Sequence, residues 1–220
     1  MCISVGGVGR GIPQLNPKQL AGGRGGEPDM MPGNPTSLAE ALGKRAKNMS
    51  TTKAVKEVNP FYDGEYVDYS ENCQRVVVAL EARFRGYDVI ASPTFKGDTA
   101  PNSGNWLNYF ENAKSEYVGH TTADATQRAL ENKMKEYGDG ARAVMRLKWK
   151  RGSGHLINIA QKDGKTYYYD GQHGGRYSPS DLFKQITTER TEIVRVDNLK
   201  FADIAKEALR QNPYKKKKGV

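Results

Sequence analysis

Apolar positions recur only in parts of the chain. From residue 1 to about 35 Gly, Pro, Asn and Gln dominate without any period, so a leader lacking a packed core is expected. Pro35 to Leu42 reads as a short helix capped by Thr36 or Ser37, and the character changes again at Val55, where the folded domain is expected to begin. Val77, Leu80 and Phe84 follow Cys73 at helical spacing, which predicts a helix with the sulfur on its inward stripe. Gly86 stops that helix, and Tyr87 to Ala91 reads as an extended exit. Ser92 to Tyr109, with Gly, Pro, Asn and Trp106, reads as a loop. Thr122 to Tyr137 carries Ala125, Ala129, Met134 and Tyr137 near helical spacing and ends at Gly138-Asp139-Gly140.

Beyond that stop the period changes. Ala143, Met145, Leu147 and Trp149 alternate with Arg142, Val144, Arg146 and Lys148, the pattern of a half-buried strand. Two β-rich runs then flank Asp163-Gly164, which predicts a hairpin on a type I′ turn and hence a three-stranded antiparallel meander. A short helix over Ser180 to Ile186, a strand over Glu192 to Val196 and a helix over Asn198 to Arg210 complete the reading. A helix packed on an antiparallel sheet is an α+β layout. Three segments are expected: a leader over 1–54, a domain over 55–200, and a C-terminal helix with a Lys-rich tail over 201–220. No internal repeat is visible.

Chemistry enters at two places. A cysteine in the first turn of a helix lies near unpaired N–H groups and the positive dipole end, which favour thiolate; the ordinary alternative is a small buried hydrophobe. In the hairpin, a two-residue turn pairs Lys162 with Lys165, sets His155 opposite Gln172 and Ile157 opposite Asp170, and turns His155, Asp170 and Gln172 to one face. A base and an orienting group on facing strands are what a thiol nucleophile requires. The Cys73 N–H is the first candidate oxyanion donor and the Asn72 or Ser70 side chain the second, although either side chain also suits a helix N-cap. His173 is the rival base; His155 is preferred because it starts a strand, whereas His173 sits among Gly171, Gly174 and Gly175. His120 reads as a surface histidine before a helix.

Asn72-Cys73-Gln74-Arg75, Arg83-Phe84-Arg85-Gly86-Tyr87-Asp88-Val89, Gly154-His155 and Asp170-Gly171-Gln172 resemble, in order, the papain-fold toxin domain. This family, also called the toxin glutamine deamidase domain, occurs in bacterial polymorphic toxins and some phage head proteins; Asn59-Pro60, Tyr62 and Gly64 resemble its opening segment. The resemblance spans roughly Asn59 to Ile186. It implies a papain-like fold with the nucleophile helix against the sheet, Cys73 as nucleophile, His155 as base and Asp170 as its orienting residue, with Gln172 matching a glutamine common in the family. The implied substrate is a protein glutamine side chain; a backbone amide, and so a peptidase, is the alternative. Two positions depart: Val76 stands where many relatives have a second cysteine, and Gly171 where proline is common.

Composition trims the other classes. The 220 residues are 37% hydrophobic and carry a net charge of +9. Much of the excess lies in Lys44-Arg45, Lys148 to Arg151 and Lys215 to Lys218, so nucleic acid binding through the tail is considered but a solvated tail is preferred. Tyr167, Tyr168 and Tyr169 alternate across a strand and build no base-stacking platform. Cys2 and Cys73 are expected to stay unpaired, and too few His and Cys share motif spacing for zinc, so no metal and no cofactor is expected. Gly22 to Gly26 lacks the lysine of a phosphate loop. No run is long enough to span a bilayer, and Met1 to Gly7 is not a classical signal peptide. The expected setting is the bacterial cytoplasm, a virion, or delivery by a specialised secretion system. The partners expected with it are a glutamine-bearing target, an immunity protein, and a phage head or longer toxin chain. A non-enzymatic binding module is the competing class.

Overall fold

The computed structural model describes residues 35–46, 48–62, 67–94, 100–102 and 104–212. The Gly-rich leader to residue 34, Cys2 and the Lys215–Lys218 run lie outside the described residues. The helices are α1 (Leu38–Leu42), α2 (Thr51–Lys56), α3 (Val67–Ser70), α4 (Cys73–Phe84), α5 (Ala123–Tyr137) and α6 (Pro179–Gln185). The strands are β1 (Val89–Ala91), β2 (Glu116–Tyr117), β3 (Arg142–Lys148), β4 (Gly154–Lys162), β5 (Lys165–Asp170), β6 (Gly175–Tyr177), β7 (Glu192–Arg195) and β8 (Leu209–Gln211). Six strands form an antiparallel sheet in the order β2-β7-β3-β4-β5-β6, while β1 and β8 pair separately. The fold is α+β.

The sheet is covered on both faces, which sets the register of every strand. Val144, Leu156, Val194 and Val196 pack on the side of α4, in one cluster with Cys73, Val76, Val77 and Leu80. Ala143, Met145, Leu147, Ile157, Ile159 and Ile193 pack on the other side, with Leu130 and Met134 of α5 and Leu182 and Phe183 of α6. Cys73 through Arg83 of α4 are all buried, so this helix is enclosed rather than half-exposed. Its polar residues are therefore paired: Glu81 is 0% exposed and accepts from Arg85 Nε at 2.7 Å and from Arg142 Nε and Nη2 at 2.8 and 2.9 Å.

The hairpin follows the sequence reading. Asp163 and Gly164 have φ of 51° and 72°, as a type I′ turn requires, and Lys162 pairs with Lys165. Thr122 caps α5 by accepting from the Ala125 N–H. Two expectations fail. Asn198 to Arg210 is not a helix: a 3-10 helix covers Asp203–Ala208, and Leu209–Gln211 turn into β8. Tertiary pairing overrides local preference here, because β8 supplies the hydrogen-bond partner of the short strand β1, Ala91 facing Leu209. The packed core also reaches past the boundary expected at Val55. Ala41 and Ala54 upstream, and Ala205, Ala208 and Leu209 near the end, are buried in the α4 cluster. None of the described helices is long and apolar enough to cross a membrane.

Candidate active site

Asp170 closes β5 and is 3% exposed. Its Oδ2 lies 3.3 Å from His155 Nε2 and 2.6 Å from His173 Nδ1, and accepts from the Tyr177 hydroxyl at 2.7 Å. Its Oδ1 accepts from the backbone N–H groups of Gln172 at 3.0 Å and His173 at 3.3 Å. Burial by itself would raise the Asp170 carboxyl, but the two histidines outweigh it and hold the group well below the usual carboxylate range. For His173 burial favours the neutral ring, yet the Asp170 carboxylate prevails and raises it above the ordinary histidine value. The same carboxylate, added to burial, pushes the Tyr177 phenol far up, so it remains a donor.

His155 is the second residue of β4 and is 5% exposed. Its ring stacks on Trp149 with centroids 5.8 Å apart at 25°, and meets His173 at 6.0 Å and 62°. Its Nε2 faces the Asp170 carboxylate, and an imidazole that donates from Nε2 carries its acceptor at Nδ1. His173 sits in the turn after β5, with the Tyr62 ring edge-on at 4.7 Å. His155 and His173, rivals in the sequence, thus share one carboxylate oxygen. His120 is exposed and remote from this cluster in the chain, at the start of α5.

Cys73 opens α4, 0% exposed. Asn72 before it does not cap the helix with its side chain: Nδ2 donates to Asn59 Oδ1 and to Ser92 O, both at 3.0 Å. Both amide protons are thereby engaged, so Asn72 positions the helix start instead of donating to an oxyanion. Asn59 Nδ2 in turn donates to Tyr69 O at 3.0 Å and reaches Gln172 O at 3.4 Å. Gln172 Nε2 donates to Ser70 O, while its buried Oε1 has no hydrogen-bond partner among the described residues. The chain leaves the sheet after Asp170, so Gln172 lies in the turn beyond the strand. It joins the carboxylate to the segment just before the cysteine.

One expectation about Cys73 is overturned. Its sulfur is in a disulfide, not a free thiol, and so has no proton to give Gln74 Oε1 at 3.8 Å. His155, Asp170 and His173 also offer three ligand atoms within 4.8 Å of one another, an arrangement equally accounted for by their hydrogen bonds. Sequence reasoning missed Tyr177, Trp149 and Asn59. The Asp-x-x-His spacing of Asp170 and His173 was the available signal for the second histidine; Tyr177 reaches Asp170 because β6 folds back on β5, Gly175 facing Asp170.

An enclosed cysteine helix packed on an antiparallel sheet that carries a buried His–Asp pair defines a papain-like class of protein. Residues 71–175 match the family model described as papain fold toxin 1, glutamine deamidase. No curated protein and no solved structure matches the chain.

Proposed function

We propose that the protein is a toxin-type thiol amidohydrolase that deamidates protein glutamine side chains. Reduced Cys73 is the nucleophile: its thiol proton passes to His155 Nδ1, and the sulfur attacks the carboxamide carbon. The tetrahedral oxyanion is held by the Cys73 N–H at the start of α4. His155 then gives its proton to the departing nitrogen, ammonia leaves, and water hydrolyses the thioester to glutamate. Asp170 keeps the imidazole oriented and stabilises the imidazolium. The observation that carries this reading is the buried Asp170 carboxylate with His155 Nε2 at 3.3 Å. The family match supports it further.

A thiolate is required for attack, so the disulfide at Cys73 must be reduced first. The test is ammonia release and amide-to-acid mass change on glutamine-bearing proteins, with and without dithiothreitol. Activity is expected only with reductant, and Cys73→Ala should abolish it while keeping about the thermal stability of the reduced wild type. An active Cys73→Ala protein overturns the mechanism, and chain cleavage in place of ammonia release would make the enzyme a peptidase. His155→Ala should be inactive and His173→Gln merely slower; the opposite order would move the base to His173.

A further inference from the structure

Beside the histidine lies a cleft of about 230 Å³, lined by Trp149, Lys150, Arg151, Lys184 and Gln185. Its shape is set by backbone hydrogen bonds between the β3–β4 connection and the end of α6. The Lys150 N–H donates to Gln185 O at 2.9 Å, and the Thr187 N–H donates to Lys148 O at 2.7 Å. Lys150, Arg151 and Lys184 are exposed, and none joins a salt bridge among the described residues. Three cations around one concavity focus a positive potential there. Trp149, 7% exposed, is the apolar wall, and its ring stacks on His155.

We propose that this cleft is a subsite for acidic side chains, binding Asp or Glu on the protein segment that carries the glutamine to be deamidated. The inference rests on the deamidase reading and names the substrate class that reading leaves open. Only one indole ring separates the cleft from the imidazole. An extended segment advances about 3.3 Å per residue, which places the recognised acid roughly two to four residues from the target glutamine. Arg151 offers a planar fork suited to a carboxylate, and the lysines add point charges.

Nucleic acid fits less well. A phosphate backbone needs a continuous track of cations. The neighbouring cleft of about 460 Å³ interrupts one, because Glu189 and Glu192 line it beside Arg146 and Arg190. Arg146 is already paired with Glu192 at 3.6 Å.

The test uses Cys73→Ala protein and short fluorescein-labelled peptides, each with a single glutamine flanked by Glu, Ala or Lys, read by fluorescence anisotropy at low salt. The Glu-flanked peptide should bind about tenfold more tightly than the Ala-flanked one, and the Lys-flanked one most weakly. The triple variant Lys150→Glu, Arg151→Glu, Lys184→Glu should erase that preference at unchanged Tm. Should it not fold, Lys150→Gln with Arg151→Gln should reduce the preference. Equal binding of all three peptides overturns the subsite. So does a preference that survives the substitutions, or tighter binding of a single-stranded oligonucleotide that the same substitutions abolish. Turnover by the reduced wild type is measured separately: the substitutions should raise KM for the Glu-flanked peptide and leave kcat alone. Lack of Cys73-dependent ammonia release from every peptide would count against the deamidase reading, while the anisotropy still decides the cleft.

Discussion

Asp170 is the residue on which the site turns, because five donors or rings converge on its two oxygens. Replacing it by Asn removes the charge that orients His155, and the rate should fall by about 10²- to 10⁴-fold. Steady-state ammonia release measures this, and an unchanged rate would remove Asp170 from the mechanism. His173 supports a pH prediction. Its value is raised above the ordinary 6.5 when folded, so it stabilises fully below that value. The contribution is lost as pH rises through the higher folded value. The Tm difference between wild type and His173→Gln should therefore shrink with increasing pH; a constant difference would show that the His173–Asp170 pair is not what titrates.

At the scale of elements, the junction of α4 with the end of β5 joins the two departures from the family pattern. A Cβ placed on Gly171 would lie 2.8 Å from the Cγ1 atoms of both Val58 and Val76, and 3.1 Å from Leu80 Cδ2. Proline carries a Cβ, so Val76 and a proline at 171 are in conflict, and Gly171 accommodates the larger side chain on the helix. Gly171→Ala should destabilise by about 1–3 kcal/mol through overpacking. Adding Val76→Ala should recover part of that loss. Urea denaturation of the two single variants and the double gives the coupling; strict additivity would mean the two positions do not press on each other. Asn72, Asn59 and Gln172 work at the same junction, tying the helix start to the turn that bears His173.

The described residues form a sheet closed on both faces, with α4 as the most enclosed of the helices. Glu81 links that helix to β3 through Arg142, and it is completely buried. Glu81→Ala would strand two arginines at a partly buried interface and should cost about 3–5 kcal/mol. Differential scanning calorimetry checks this; a shift in Tm within the range of ordinary surface substitutions would mean the arginines find other partners. Much of this architecture was legible in the sequence. The Cys73 helix, the type I′ turn and the register that brings His155 to Asp170 follow from local periodicity and turn chemistry, which act over a few residues. Other features come from residues far apart in the chain. The conversion of Leu209–Gln211 into a strand depends on β1 needing a partner more than 100 residues upstream. The meeting of the Arg142 guanidinium with Glu81 is likewise made by side chains far apart in the chain. The sequence by itself determined most of the helices and strands and the hairpin register that brings His155 to Asp170, because hydrophobic period and turn preference are local quantities. Only the tertiary structure decided that Leu209–Gln211 pair with β1 and that β6 brings Tyr177 to the carboxylate, because those contacts depend on how separate segments pack.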